Sequence, residues 1–290
     1  MRILVVGGTG FVGGAIARAL RDRGHEVTVY HRGSTAAAPG VRDRCSPDAG
    51  IPVLRFPADL RPEIVVHAVP VGEADARAAM DAFRSIARRM IAISSGDVYR
   101  AYGALLGNEE SAPGALVETS PLRQREYPYG RGPIDTRWGP LRDYEKLHVE
   151  RAVLGDPLLP GTVLRLGKVY GPGDDALTPW LAALRQARAV RIRPQWRWTH
   201  VYVEDVGQAV AVVVENDAAA GRVYNVGERV SPTQLGRLEL LARVARLPVA
   251  FDPEPGTAPD LVLDSTRIRE ELRFTDTPAE DALAKMVDRG

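Results

Sequence analysis

Residues 1–33 read MRILVVGGTGFVGGAIARALRDRGHEVTVYHRG. Ile3 to Val6 is a short apolar run rich in β-branched residues; glycines close it, and Val12, Ile16, Ala19 and Leu20 follow at helical spacing. That order predicts a strand, a tight turn and a helix. Gly24 and His25 interrupt the helix, and Val27 to Tyr30 supplies a second strand, so the unit is βαβ. Gly7, Gly10 and Gly13 fall in the turn. A glycine-rich turn lets backbone N–H groups approach a pyrophosphate, and the helix N-terminus offers it partial positive charge. The strand before the glycines and the helix after them are the context that this fingerprint needs. The expectation is a Rossmann-type α/β fold, a doubly wound parallel sheet, with Gly7, Gly10, Phe11, Val12 and Gly13 holding a dinucleotide.

The bulk properties allow this. A chain of 290 residues buries about three quarters of the surface its unfolded form exposes, and needs no staple. The single cysteine, Cys45, cannot form an internal disulfide, and the apolar run before the glycines is too short for a signal-peptide core. No apolar run approaches a membrane span. A soluble, cytoplasmic protein is expected. Net charge is +1, so there is no global bias toward nucleic acid or membrane. Local bias exists at 122–142 and 185–200, where arginines accumulate beside Trp138, Trp196 and Trp198. The five histidines show no ligand spacing with cysteine or acids, and metal catalysis is not expected.

The GGTGFVG stretch resembles the extended short-chain dehydrogenase/reductase superfamily of NAD(P)-dependent epimerases, dehydratases and reductases, whose Gly-x-x-Gly-x-x-Gly spacing is matched at Gly7, Gly10 and Gly13. The resemblance implies that residues 1–170 mainly bind cofactor, and that 171–290 mainly form a smaller α/β substrate-binding part, with 200–227 returning to the sheet. It also implies that Ala68, in the buried strand Ile64 to Val69, lines the cofactor cleft. The amphipathic segment Ala74 to Met90 is read as a packing helix; the resemblance implies that in the family this helix often joins a homodimer interface.

The end of the second strand selects the cofactor. An acid there binds the adenosine ribose of NAD, whereas an arginine accommodates the 2′-phosphate of NADP. Tyr30-His31-Arg32-Gly33 has no acid. NADP is expected, with Arg32 on the phosphate and His31 in the place of the acid. Between this point and Ile64 a short strand around Pro52 to Phe56 is expected, but no full crossover helix.

Ser94-Ser95-Gly96-Asp97-Val98-Tyr99 resembles the family's Ser-Ser-x-x-Val-Tyr, with Ser95 at the catalytic serine. The family's second element is Tyr-x-x-x-Lys on a helix. Arg142 to Arg151 is the matching helical segment, and Lys146 with Glu150 aligns, so Lys146 would hold the nicotinamide ribose and tune the acid. The position four before Lys146 is nevertheless Arg142. Tyr144 is two residues away, roughly 200° around a regular helix. Three readings stay open: Tyr144 swings in from an irregular N-terminus; Tyr99, Tyr127 or Tyr129 supplies the proton; or the acid/base step is absent.

The long connection between Ser95 and Lys146 carries Tyr129 and Arg131, which suits a substrate-covering loop. Relatives acting on nucleotide sugars carry asparagine where Lys168 aligns and arginine where Trp198 aligns. With Arg197 one place away, these residues point to a small anionic or aromatic substrate. Farther on, Gly207 to Glu215 is expected as a helix preceded by a structural Asp205, and Ser231-Pro232 as the start of another. The function expected is an NADP-dependent oxidoreductase, epimerase or dehydratase. A second reading is a dinucleotide-binding regulator or nucleic-acid-associated protein without redox turnover, motivated by the displaced tyrosine and the basic aromatic segments. The Ser95 and Lys146 pair weighs against it.

Overall fold

The structure, a computed structural model, describes residues 1–33, 35–46, 55–132 and 142–289. Its strands are β1 (Arg2–Val6), β2 (Glu26–His31), β3 (Arg42–Cys45), β4 (Ile64–His67), β5 (Arg89–Ser95), β6 (Gly161–Leu166), β7 (Lys168–Tyr170), β8 (Val190–Ile192), β9 (His200–Tyr202), β10 (Val223–Val226) and β11 (Phe251–Pro253). Its helices are α1 (Phe11–Asp22), α2 (Glu73–Phe83), α3 (Arg100–Leu105), α4 (Lys146–Leu154), α5 (Thr178–Arg185), α6 (Val203–Val214), α7 (Gln234–Ala245), α8 (Thr266–Leu272) and α9 (Ala279–Arg289).

Seven strands form one parallel sheet in the order β10-β6-β5-β4-β1-β2-β3. Strands buried on both faces read as unbroken apolar runs, and β1 is such a run from Ile3 to Val6 because helices cover it above and below. On one face Ile3 and Val5 pack with Ile16 and Leu20 of α1 and with Val206 and Val210 of α6. On the other, Leu4 and Val6 share a core with Met80 and Phe83 of α2 and Val149 and Val153 of α4. From β1 the chain moves outward through β2 to β3, then crosses to β4 on β1's other side. That reversal opens a crevice at the carboxyl ends of β1 and β4, where open α/β sheets take their ligands. α5, α7 and α9 bury Leu181, Leu184, Leu238, Leu241, Leu283 and Met286 in a separate cluster. Among the described residues no helix is long and apolar enough to cross a membrane.

Several expected elements move. The strand after β2 is Arg42–Cys45; residues 52–54 of the expected Pro52 to Phe56 strand lie outside the described residues, and 55–56 are not strand. α2 ends at Phe83 instead of running to Met90. α6 begins at Val203, so Asp205 lies inside its first turn, where it accepts from the Thr277 amide and hydroxyl at 2.9 and 2.6 Å. α7 is capped by Thr233, whose hydroxyl accepts from the Gly236 amide at 3.1 Å, while Ser231 is spent on a contact with the Thr199 hydroxyl at 2.7 Å. The expected strand Gly161 to Val169 breaks at Gly167, which turns the chain off the main sheet into β7.

A buried polar network ties the sheet to α4. Arg165 donates to both Glu150 oxygens at 3.0 and 2.7 Å and to the Tyr99 hydroxyl at 3.0 Å, while Ser94 donates to Glu150 at 2.6 Å. Removing one partner of a buried pair strands the other charge. Arg165→Met is therefore expected to lower unfolding stability by about 3–5 kcal/mol, read from urea midpoints at constant m. A loss under about 1 kcal/mol would show that the Glu150 charge is compensated elsewhere.

Candidate active site

The glycine turn is shaped from within. Gly7 holds φ +79, a left-handed conformation costly for any residue with a Cβ, and its amide donates to the Tyr30 carbonyl at 2.8 Å. A Cβ on Gly13 would run into the Gly7 carbonyl oxygen, closer than real Cβ atoms come, so α1 can abut the turn only with glycine there. A Cβ on Gly10 would meet nothing nearer than the Gly7 oxygen at 3.7 Å. The protein does not fill that side of the turn. An open glycine face at the head of α1, next to half-buried Phe11 and Val12, is a cradle that fits a dinucleotide pyrophosphate. Ala68 lies buried across the crevice with its amide on the Val6 carbonyl at 3.0 Å.

At the end of β2, Arg32 is exposed, whereas His31 is 5% exposed. His31 ends β2, in the place of the acid, and its Nδ1 accepts from the Gly33 amide at 3.1 Å while its Nε2 meets Asp43 Oδ1 at 2.7 Å. β3 brought Asp43 to that spot.

Two turns of sequence converge at the carboxyl ends of β4 and β5. Ser95 ends β5 in extended conformation, and its hydroxyl accepts from the Asp97 amide at 3.2 Å. The helix expected over Arg142 to Arg151 starts only at Lys146. Asp143 is left-handed at φ +51, Glu145 is extended, and the Glu145 carboxylate caps α4 by accepting from the Leu147 amide at 3.0 Å. The 100° step of a helix therefore does not apply between Tyr144 and Lys146, and Tyr144 swings into the crevice.

Its hydroxyl donates to Asp97 Oδ2 at 2.8 Å, and the Asp97 amide donates in turn to the Ser95 hydroxyl at 3.2 Å. Lys146 donates to the carbonyls of Pro70 and, at 3.1 Å, Ile93, bridging the ends of β4 and β5, and its Nζ sits 5.5 Å from the Tyr144 ring centre. Ser95, Tyr144 and Lys146 thus meet at one place.

Burial sets the protonation of this cluster. It raises the Tyr144 phenol well above its ordinary value, an effect that the neighbouring Asp97 charge reinforces. It raises the Asp97 carboxyl against the opposing pull of Tyr144, Arg123 and Lys146. Lys146 is pushed down to about 8 by its own burial, with Asp97, Asp75 and Glu150 acting the other way. His67 is pushed down to about 3 by burial and by Lys146, and so stays neutral as a packed residue.

Asp97 had no role in the sequence reading. It is 5% exposed, and its Oδ1 has no hydrogen-bond partner among the described residues. The available signal was an acid two residues after the serine. Arg123 and Glu145 were also missed: they form a buried ion pair at 2.9 Å, and Arg123 donates to the Asp97 carbonyl at 2.5 Å. Glu145 also accepts from the Tyr127 amide at 2.5 Å. This pair anchors the loop over the crevice.

On that loop Tyr129 sets its ring edge-on to Tyr144 at 5.4 Å and shares a hydrogen bond of 2.8 Å with the Tyr102 hydroxyl. Arg131 stacks on Tyr127 at 4.1 Å. Tyr99 is buried, donating to Asn225 at 2.7 Å and accepting from Arg165, which removes it from contact with a ligand. Trp138 lies outside the described residues.

Lys168 follows Leu166, which pairs with Ser95 in the sheet. Its Nζ lies 5.8 Å from the Trp198 ring centre, and Trp198 packs at 5.3 Å from Trp196. Both tryptophans lie against a cluster that includes Val98, Leu147 and Leu263. Arg197 is exposed, with its amide on Asp260 at 2.9 Å. Among the described residues no group of three His, Cys, Asp or Glu could hold a metal ion.

Comparison with known proteins places this geometry. Residues 3–227 match the model of the NAD dependent epimerase/dehydratase family. The chain is 32% identical to the 2'-dehydrokanamycin reductase of Streptomyces kanamyceticus over 79% of its own length and 62% of that protein's. It is 28% identical to the dTDP-6-deoxy-L-talose 4-dehydrogenase (NAD(P)(+)) of Kitasatospora kifunensis over 94% and 90% of the two chains. In fold it is similar to the UDP-glucuronic acid 4-epimerase of Bacillus cereus in complex with NAD, with a TM-score of 0.75 at 18% identity, covering 100% of this chain and 98% of that one. This chain belongs to the NAD dependent epimerase/dehydratase family, and is an NAD(P)-dependent enzyme of the extended short-chain dehydrogenase/reductase type.

Proposed function

We propose that the chain is an NADP-dependent carbonyl reductase acting on a small planar substrate that carries an anionic group. The observation that carries this reading is the Tyr144 hydroxyl held by Asp97, whose amide donates to the Ser95 hydroxyl, beside Lys146. A phenol raised above its ordinary value keeps its proton at neutral pH, so the resting site is a proton donor, as reduction requires. A cycle that began by oxidising the substrate would need the phenolate instead. Among the relatives, the names reductase and dehydrogenase support the same reaction class.

Gly7, Gly10, Phe11, Val12 and Gly13 hold the pyrophosphate, Ala68 borders the cofactor, Arg32 meets the 2′-phosphate and Lys146 holds the nicotinamide ribose. The bound cofactor supplies a hydride to the carbonyl carbon. Ser95 orients the carbonyl oxygen, and Tyr144 protonates it as negative charge develops there. The phenolate that remains is held beside the Lys146 ammonium and takes its proton back from solvent, while the Asp97 carboxylate accepts the hydrogen bond of the resting hydroxyl. One carbonyl, one hydride and one proton give one alcohol.

Tyr129 and Arg131 close over the substrate from the loop, while Lys168 and Trp198 receive its far end: a cation beside an indole face suits a flat anion. Arg197 stands at the outer rim. The test is NADPH oxidation with aryl ketones that do or do not bear a carboxylate. Lys168→Met is expected to raise KM for the carboxylate about tenfold, with kcat within about twofold and the neutral ketone unaffected. Absence of turnover with every carbonyl compound, in a chain that binds NADPH, would end the reductase reading.

A further inference from the structure

We infer that Arg18, on the second turn of α1, is a second anchor for the 2′-phosphate of NADP, and that Glu204 of α6 holds it in place when no phosphate is bound. This rests on the NADP reading above and adds a residue that the fingerprint does not contain.

A cavity of about 350 Å³ opens against the outer side of the glycine turn, lined by Gly8, Thr9, Gly10, Gly14, Arg18 and Thr35, with Glu204 at its edge. Gly10, Gly14 and Arg18 succeed each other four residues apart, so they fall on one line along the helix. The first two carry no side chain. The third folds back toward the N-terminus, as helical side chains lean, until its Nη1 lies 3.4 Å from where a Gly14 Cβ would stand. The guanidinium thus runs along a bare strip that leads to the turn.

The cavity's second wall decides which ligand group reaches it. Thr35, Ala36 and Ala38 come directly after the end of β2, where the adenosine ribose of a dinucleotide presents its 2′-oxygen. With the pyrophosphate on the Gly10 side and the ribose at β2, a group on that oxygen enters the space between the turn and residues 35–38. A phosphate monoester there meets Arg18 inside and Arg32 at the strand end. NAD, with a hydroxyl at the same position, leaves Arg18 on its own partner.

That partner is Glu204, which accepts from Arg18 Nη2 at 2.8 Å. The two side chains are 40% and 37% exposed, and an ion pair so exposed is worth little. A phosphate carrying close to two negative charges competes with it successfully. Glu204 sits in the first turn of α6, where the helix dipole stabilises its carboxylate after Arg18 leaves. The pair thus stores the cation without neutralising it permanently.

The experiment measures dissociation constants of the full chain for NADP⁺ and NAD⁺, with 2′,5′-ADP and ADP as shorter probes. Wild type binds NADP⁺ more tightly than NAD⁺. Arg18→Gln is expected to weaken NADP⁺ and 2′,5′-ADP at least about tenfold and leave NAD⁺ and ADP within about twofold, which also shows that the variant is folded. Glu204→Gln is expected to tighten NADP⁺ by about two- to fivefold with NAD⁺ unchanged. If wild type prefers NADP⁺ but Arg18→Gln leaves the preference intact, or weakens both dinucleotides equally, Arg18 is not the anchor. If wild type shows no preference for NADP⁺, the cofactor reading itself falls, and the role of Arg18 with it.

Discussion

Tyr144→Phe is expected to lower kcat for carbonyl reduction by about 10²- to 10⁴-fold while changing the NADPH dissociation constant by less than about threefold. The phenylalanine ring keeps the packing against Tyr129 at 5.4 Å and the position over Lys146, so only the hydroxyl leaves. Steady-state kinetics with a direct cofactor titration separates the two effects. The result also decides among the tyrosines. Tyr99 is locked by Asn225 and Arg165, and Tyr129 by Tyr102; neither hydroxyl shares a hydrogen bond with Asp97. If Tyr144→Phe retains full activity, the proton comes from elsewhere and the proposed chemistry loses its donor.

The same site has a pH signature. Lys146 titrates near 8 because burial opposes its charge. The ammonium is complete below that value and is lost as pH rises through it, and with it would go the anchor proposed for the nicotinamide ribose. Reduction is accordingly expected to fall on the alkaline side of about pH 8, first in kcat/KM for NADPH. Lys146→Met should remove that limb. Persistence of the limb in the variant would assign it to another group.

The second large effect is at the turn. In Gly13→Ala the added methyl runs into the Gly7 carbonyl oxygen, and Gly7 cannot give way because its amide is fixed to the Tyr30 carbonyl at 2.8 Å and its φ is +79. Overpacking of this kind costs about 1–3 kcal/mol, and here the displacement falls on the amides proposed to meet the pyrophosphate. Affinity for either nicotinamide dinucleotide is expected to drop by about 5- to 150-fold, measured by titration, with far-UV circular dichroism preserved. An unchanged affinity would mean that the turn does not carry the cofactor.

Much of this site was legible because its signals are local. β1, the glycine turn and α1 declare themselves within the first 22 residues, where strand and helix periodicities change over at the glycines. Ser95 was legible for the same reason: a buried strand leads straight into it. Lys146 was placed, but the geometry around it was not. The sequence predicts one helix across Arg142 to Arg151, since nothing in that run forbids helix. What breaks the run is distant: the Glu145 amide donates to Val71 at 2.9 Å, and Gly72 lies so close that a Cβ would stand 2.8 Å from the Asp143 oxygen. These contacts force residues 143–145 out of helical conformation and deliver Tyr144 to the crevice.

Asp97 and the Arg123 and Glu145 pair were hidden in a different way. An acid in a turn reads as solvated, and an arginine in a basic loop reads as exposed, yet here both are enclosed by other parts of the chain. The partner of His31, Asp43, was hidden because it lies on a strand whose register against β2 depends on pairing, not on local pattern.

The sequence alone determined the parallel sheet with its cofactor turn, because glycine spacing and apolar periodicity act between residues a few places apart. Only the tertiary structure decided which tyrosine hydroxyl stands beside Lys146 and which carboxylate accepts from it. Burial and long-range hydrogen bonds fix a side chain's direction and its proton, and neither is a property of a short stretch of chain.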